Sequence, residues 1–138
     1  MDQTARKTLN SLMRSLIVNS KVSTVIESFP FMCVMLDDES GEIIEANDMF
    51  CKYLGYYKEE LIGKEVFGLL HPDDVQDTLD AFERFRGGQW KTSLFMNRYR
   101  HNDGHYVPMY WVTNKPQNSQ IDGFNFSIAF KNKLEVWG

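Results

Sequence analysis

The sequence has few cysteines and no long apolar run, and both absences narrow the class of protein. Two Cys among 138 residues are too few for the disulfide framework of a small secreted domain. No stretch approaches the roughly 18 consecutive apolar residues that a membrane-spanning helix needs. The first residues, MDQTARK, are polar and contain no apolar core of a secretory signal. We therefore expect a cytoplasmic protein without a membrane partner.

The chain also lacks a strongly basic segment. Its formal net charge is −4, and its pI is 5.3. The stretch at 90–115 is the most basic, yet it holds only four Lys or Arg against one Asp. Nucleic-acid binding needs many Lys or Arg side chains to neutralise the phosphates. We therefore expect no nucleic-acid partner.

Motifs of catalysis and metal binding are missing as well. The three His are His71, His101 and His105. The last two are four residues apart, but they flank a predicted Asp-Gly turn rather than lying on a helix, so they are not read as a helical pair of metal ligands. No Cys-x-x-Cys, Gly-x-Ser-x-Gly or phosphate-binding Gly loop occurs. The adjacent Asp73 and Asp74 suit the start of a helix better than acid–base chemistry. We predict no enzyme, no catalytic residues and no metal site.

The residues that are present favour one α+β domain. Hydrophobic residues make up 43% of the chain and aromatic residues 14%, enough to build a core or line a pocket. Short helices are predicted between 47 and 70 and a longer one from Asp73 to Arg86. Apolar and alternating patterns, with turn residues between them, predict five strands, at 31–36, 42–46, 90–101, 105–114 and 121–131. Strands in two blocks around a helical block indicate an antiparallel sheet with helices on one face.

Local signals place several helix ends. Asn47 precedes a helical segment and is predicted to cap it through its side chain. Gly55 follows that segment, where a left-handed residue is favoured. Thr24 and Glu27 have the spacing of a capping box, which predicts a short helix that starts at Thr24.

An amphipathic helix is predicted over residues 4–18. Its apolar residues recur with helical spacing on one stripe, and they are Leu9, Leu12, Met13, Leu16 and Ile17. Because a second copy of the helix could cover this stripe, we predict a homodimer. The alternative is that the helix folds back onto the outer face of its own sheet.

The order of elements and several motifs resemble the PAS domain, a sensor and interaction module. The resemblance covers residues 24–132 and is carried by SGEIIEANDMF at 40–50, LGY at 54–56, EELIGK at 59–64, HPDD at 71–74 and YRHNDG at 99–104. Phe130-Lys131-Asn132 replaces the closing segment that such domains often have. The resemblance implies a five-stranded antiparallel sheet, with residues 1–23 as a helical cap or dimerisation segment and 133–138 as a tail or the start of a linker.

The resemblance also implies a sensory domain that binds a small molecule or partner and transmits through dimer contacts. A ligand-free dimerisation or interaction module is one alternative, and a flavin- or haem-binding redox sensor is another. Haem-binding members usually supply a His from the long helix, and photochemical flavin members place a Cys in the helix before it. Neither residue is present at 73–86 or 63–70. We therefore predict no cofactor, apart from a non-covalent small ligand of unknown identity, and an output domain or protein partner elsewhere.

Any ligand pocket is expected between the inner face of the sheet and the helices. Alternation along strands and analogy with the family together select its walls, which are Phe67, Leu70, Leu79, Phe82, Met96, Met109, Trp111, Phe126 and Ile128. A solid core built from the same residues is the competing interpretation.

Overall fold

The computed structural model describes residues 22–37, 39–86, 93–114 and 124–132. The predicted dimer stripe at 9–17 and the tail at 133–138 lie outside these ranges. In chain order the helices and strands are α1 Val22–Glu27, β1 Met32–Asp37, β2 Ile43–Ala46, α2 Asp48–Leu54, α3 Lys58–Leu61, α4 Val75–Arg86, β3 Ser93–Arg100, β4 Tyr106–Asn114 and β5 Phe124–Phe130. Two short 3-10 turns, Val66–Gly68 and Pro72–Asp74, precede α4.

The five strands form one antiparallel sheet with the order β2-β1-β5-β4-β3. The last strand, β5, lies in the centre and pairs with β1 on one side and β4 on the other. It thereby joins the β1–β2 hairpin to the β3–β4 hairpin. The predicted five-stranded antiparallel sheet is confirmed.

Helix α2 is fixed at both ends as the sequence predicted. The side chain of Asn47 accepts a hydrogen bond from the Phe50 N–H at 3.2 Å. At the other end Gly55 adopts a left-handed φ of 78°, which glycine reaches without steric cost. Both predicted caps are confirmed.

The predicted capping box at the start of α1 is wrong. Helix α1 begins at Val22, so Thr24 lies inside it. The carboxylate of Glu27 instead accepts the N–H of Asp48 at 2.8 Å. A first-turn N–H of α2 has no partner within its own helix, and Glu27 supplies one from the preceding helix.

The core lies between one face of the sheet and the helical segments. We call this face the inner face and define it by Val34 of β1 and by Met109 and Trp111 of β4. The buried residues of the core come from both the sheet and the helical segments, and they are Met32, Val34, Leu36, Ile43, Ala46, Phe50, Cys51, Leu54, Leu61, Val66, Leu69, Leu70, Tyr99, Met109, Trp111 and Ala129. Their contact fixes the helices against the sheet.

Candidate functional site: the inner face of the sheet

Strand register decides which side chains share the inner face. Residues directly opposite in an antiparallel pair project to the same face. Trp111 lies opposite Phe95 in β3 and opposite Ala129 in β5. Asn97 lies opposite Met109. The predicted inner positions of Met109 and Trp111 in β4 are therefore confirmed, and Val107, opposite Tyr99, lies in the same phase.

Several predicted wall residues lie where they were expected. Met109 is 0% and Trp111 5% exposed, and Leu70 is buried as well. The rings of Phe67 and Phe82 meet edge to face, with centroids 5.1 Å apart, and both pack against the core. The structure thus brings five predicted residues to the inner side, while their role as ligand contacts stays a prediction.

Met96 is not on the inner face, contrary to the prediction. It lies opposite Tyr110, one residue out of phase with Trp111, and it is 46% exposed. Strand β3 places Phe95, Asn97 and Tyr99 inward instead. A shift of one residue exchanges the two faces of a strand, which explains the error.

The predicted phase of β5 is wrong for the same reason. Ile128 lies opposite Val112 and Cys33, on the face away from Trp111. The backbone of Phe126 pairs in this same phase, with Met35, and its side chain is not among those described. The inner positions of β5 include the small residues Ser127 and Ala129, which pair with Val34 and Met32 of β1.

Leu79 lies at the margin of the helix face that covers the sheet. It is 39% exposed, whereas Thr78 and Ala81 are 2% and 6% exposed. The buried stripe of α4 runs through these two residues and Phe82. The prediction that Leu79 lines the inner space is therefore wrong, and the preceding residue, Thr78, faces the sheet instead.

A polar cluster lies inside this otherwise apolar region. The indole N–H of Trp111 donates to Asn97 Oδ1 at 2.7 Å. The amide of Asn97 donates to Thr78 Oγ1 at 3.3 Å, and that hydroxyl donates to the carbonyl oxygen of Asp74 at 2.7 Å. Asn97 and Thr78 are each 2% exposed. Buried polar groups of this kind can orient a small molecule inside an apolar pocket.

Asn97 and Thr78 were not predicted to lie here, because the expected walls were all apolar. The signal that could have found Asn97 is its phase, since it alternates with Tyr99 and lies opposite Met109. Tyr99 completes the cluster, with its ring centroid 5.8 Å from that of Trp111. Burial raises the pKa of the Tyr99 hydroxyl, so it stays protonated and can donate a hydrogen bond at neutral pH.

The side chain of Asn47 has a structural role, because its hydrogen bonds are to backbone groups of neighbouring elements. Its side-chain oxygen accepts from the N–H of Cys33 and of Phe50, at 3.0 and 3.2 Å. Its amide donates to the carbonyls of Ile26 and Phe31, at 3.0 and 2.8 Å. One side chain thus joins α1, β1 and α2, and these four bonds match what an Asn amide offers most readily.

The two cysteines lie in the core as neutral thiols. Cys33 and Cys51 are both free and buried. Burial raises the pKa of each thiol to about 11, and the thiolate is the reactive form. Both residues therefore serve as small side chains of the core.

None of the described helices is long and apolar enough to cross a membrane.

Comparison with known proteins places this arrangement in a family. The sequence model described as the PAS fold matches residues 20–116. The solved structure of a PAS domain of an HTR-like protein from Haloarcula marismortui is similar, with a TM-score of 0.65 and 20% identity. That likeness covers 95% of this chain and 100% of the other.

Two curated proteins share one segment with the chain. The probable diguanylate cyclase DgcE of Escherichia coli is 31% identical over 67 residues, and the C4-dicarboxylate transport sensor protein DctS of Rhodobacter capsulatus is 34% identical over 68. Each match covers 49% of this chain but only 6% and 10% of those proteins. The similar segment is thus a small part of each relative.

Proposed function

Because the chain belongs to the PAS fold family, we propose that it is a sensory domain that binds a small molecule against the inner face of its sheet and transmits the signal through dimer contacts. The buried polar cluster of Asn97, Thr78 and Trp111 carries the proposal. It offers hydrogen-bonding atoms within a region whose other walls are aromatic and aliphatic, which is the usual composition of a ligand site.

The geometry of the cluster favours a small, neutral and largely apolar ligand. The bond between the Asn97 amide and Thr78 is long, at 3.3 Å, and the Thr78 hydroxyl already donates to a backbone carbonyl. A ligand oxygen or nitrogen could replace this weak bond at little cost. The rings of Phe50, Tyr99 and Trp111, with centroids about 6 Å apart, would contact the ligand's apolar part.

Mass spectrometry of a denatured extract tests the ligand. The purified protein is expected to release one small molecule in a constant ratio to chain. Thr78→Val keeps the side-chain shape but removes the hydroxyl, and should reduce the amount released. Met96→Leu, on the opposite face, is the matched control and should release as much as the wild type. A wild-type extract without any such molecule would favour the ligand-free interaction module.

A coloured cofactor is not part of the proposal. The described helix α4 carries no His, and the segment before it, 63–70, carries no Cys. A colourless protein is therefore expected. A Soret band, or flavin absorption that survives purification, would favour the redox-sensor alternative.

Dimerisation through the N-terminal stripe is the proposed route of transmission. Replacing Leu12 and Leu16 with Glu should place charge on the stripe and yield a monomer with an unchanged fold. Light scattering after size exclusion measures the mass, and circular dichroism checks the fold. A wild type that is monomeric at tens of micromolar would contradict the proposed interface.

The output is proposed to lie in another domain or a partner protein. The relatives' names describe a cyclase and a transport sensor, and the shared segment is a small fraction of each. This chain would then supply the sensing step to such an output, and the cytoplasm is the proposed location.

A further inference from the structure

The turn between β3 and β4 gathers three side chains that commonly bind metals. His101, Asp103 and His105 each offer one ligand atom, and these atoms all lie within 4.8 Å of one another. His101 Nδ1 is 3.2 Å from Asp103 Oδ1, and His105 Nδ1 contacts that same oxygen. The two His are four residues apart, as in a helical pair of ligands, but residues 101–105 form a turn between strands, so the folded turn is what brings the three side chains together.

We infer that this turn is a binding site for a divalent transition-metal ion of the zinc class, with His101, Asp103 and His105 as its ligands. Two ligands that each lie about 2.0–2.1 Å from a tetrahedral zinc are about 3.3 Å apart. The 3.2 Å between His101 and Asp103 matches that separation. The two imidazole rings are stacked, 18° from parallel with centroids 4.7 Å apart, which aligns their nitrogens towards one carboxylate.

Helix α2 holds the first ligand in place. A Cβ atom on Gly55 would lie only 2.5 Å from the His101 ring, so the ring packs directly on this glycine. Asn102 ties the turn to the same helix end, because its N–H donates to the Leu54 carbonyl at 2.9 Å and its amide to the Gly55 carbonyl at 3.0 Å. A site built on such a fixed turn loses less conformational freedom when the ion binds.

The donor set determines the class of ion. Two imidazoles and one carboxylate suit zinc and its transition-metal neighbours, whereas calcium and magnesium prefer oxygen ligands alone. Three protein ligands leave at least one position for water. The side chains of His105 and Asp103 are 58% and 60% exposed, so an ion can enter and leave from solvent. The site uses none of the inner-face residues and does not depend on the proposed ligand.

A second turn in the protein provides an internal comparison. His71 and Asp73 repeat the His-x-Asp spacing, and His71 Nδ1 accepts the Asp73 N–H at 3.1 Å. His101 Nδ1 accepts the Asp103 N–H at the same distance, and the ion would have to replace this bond. Only the turn between β3 and β4 adds another imidazole, from His105, so the hydrogen-bonded turn can be separated experimentally from the metal site.

Cobalt titration of the protein without a polyhistidine tag tests the inference. Co²⁺ should produce visible d–d absorption that saturates at one ion per chain, and Zn²⁺ should displace it. His105→Ala and Asp103→Asn should each weaken binding by at least about tenfold, since even the loss of a residue that only hydrogen-bonds to a metal ligand costs about 10- to 100-fold. His71→Ala is the matched control and should bind as the wild type does.

A thermal melt provides a readout that does not rely on the cobalt spectrum. An ion that binds only the folded state raises the unfolding temperature, so Zn²⁺ should raise it in the wild type and in His71→Ala but much less in His105→Ala. Absence of a cobalt spectrum in the wild type would overturn the inference. Unchanged binding in His105→Ala, or an equal loss in His71→Ala, would overturn it as well.

Discussion

The two hairpins of the sheet bury their side chains differently. Every residue of β1 and β2 is buried, so that hairpin is covered on both faces. In β3 burial alternates, since Asn97 and Tyr99 are each 2% exposed while Met96, which precedes Asn97 and projects to the opposite face, is 46% exposed. The first hairpin is therefore a fixed part of the core, whereas the second has a core face and an open face. Both candidate sites, the polar cluster and the histidine turn, use the second hairpin.

The first hairpin buries carboxylates as well as apolar side chains. Glu45 is paired with Lys58 and accepts the Ala46 N–H at 3.0 Å. Asp37 accepts the N–H groups of Glu39 and Ser40, both at 2.9 Å, which shapes the turn. A buried charge is costly unless it is paired or hydrogen-bonded. These partners explain how the first hairpin accommodates two buried carboxylates.

Two methionines test the contrast between the hairpins, with the largest expected effect. Met35 and Met96 both lie on the face away from Trp111, but Met35 is 1% exposed. Met35→Ala should lower the free energy of unfolding by about 2–5 kcal/mol, as for other buried large-to-small changes. Met96→Ala should change it by less than about 0.5 kcal/mol. Urea denaturation measures both, and equal small effects would mean that this face of β1 is not covered in solution.

The same contrast explains how far the sequence could predict the fold. The caps of α2 and the succession of helices and strands along the chain were readable because each depends on a few neighbouring residues. The continuous apolar run at 31–36 predicted a strand, but it contained no alternation from which to assign its faces. In β5 large residues at 124, 126, 128 and 130 suggested an inner phase, yet the inner positions are Ser127 and Ala129. That choice depends on the volume contributed by other strands and helices, which no local pattern encodes.

The candidate sites were less predictable still. Asn97 looked like a polar interruption in an apolar strand, and only its pairing with Met109 places it inside. His101 and His105 were recognised as flanking a turn, but the convergence of their nitrogens depends on the conformation of that turn. Sequence reasoning therefore located the relevant elements and missed the side-chain constellations on them.

Loss of the Asn97 side chain should have the next largest effect. Asn97→Ala leaves the buried Trp111 N–H without its acceptor, which should cost about 1–3 kcal/mol beyond the lost packing. Replacing both partners, as Asn97→Leu with Trp111→Phe, should cost less than the sum of the two single changes. A double-mutant cycle in urea measures this coupling. Strict additivity would show that the bond contributes nothing to stability.

Gly55→Ala should disturb the end of the second hairpin that rests on helix α2. The φ of 78° disfavours any side chain by about 1–2 kcal/mol, and the new methyl group would also meet the His101 ring. His101→Ala in the same chain should relieve the contact but not the backbone strain. Thermal unfolding of the single and double variants separates the two contributions. If His101→Ala restores full stability, the backbone strain is not the cause.

The pair formed by Asp74 and Arg98 should give the smallest effect, and its signature is pH dependence. The guanidinium donates to both carboxylate oxygens, at 2.9 and 2.8 Å, and these hydrogen bonds hold the pKa of Asp74 below its ordinary value. A carboxyl group whose pKa is lower in the folded state stabilises that state above the unfolded pKa of about 3.9, and this contribution is lost as the pH falls through the folded pKa.

The stability difference between wild type and Asp74→Asn should therefore be largest above about pH 5 and shrink as the solution becomes more acidic. Urea midpoints across this range measure it. Asp73→Asn is the matched control, because the Asp73 side chain is 80% exposed and its substitution should change stability only slightly. A difference for Asp74→Asn that grows on acidification would contradict the sign of the shift.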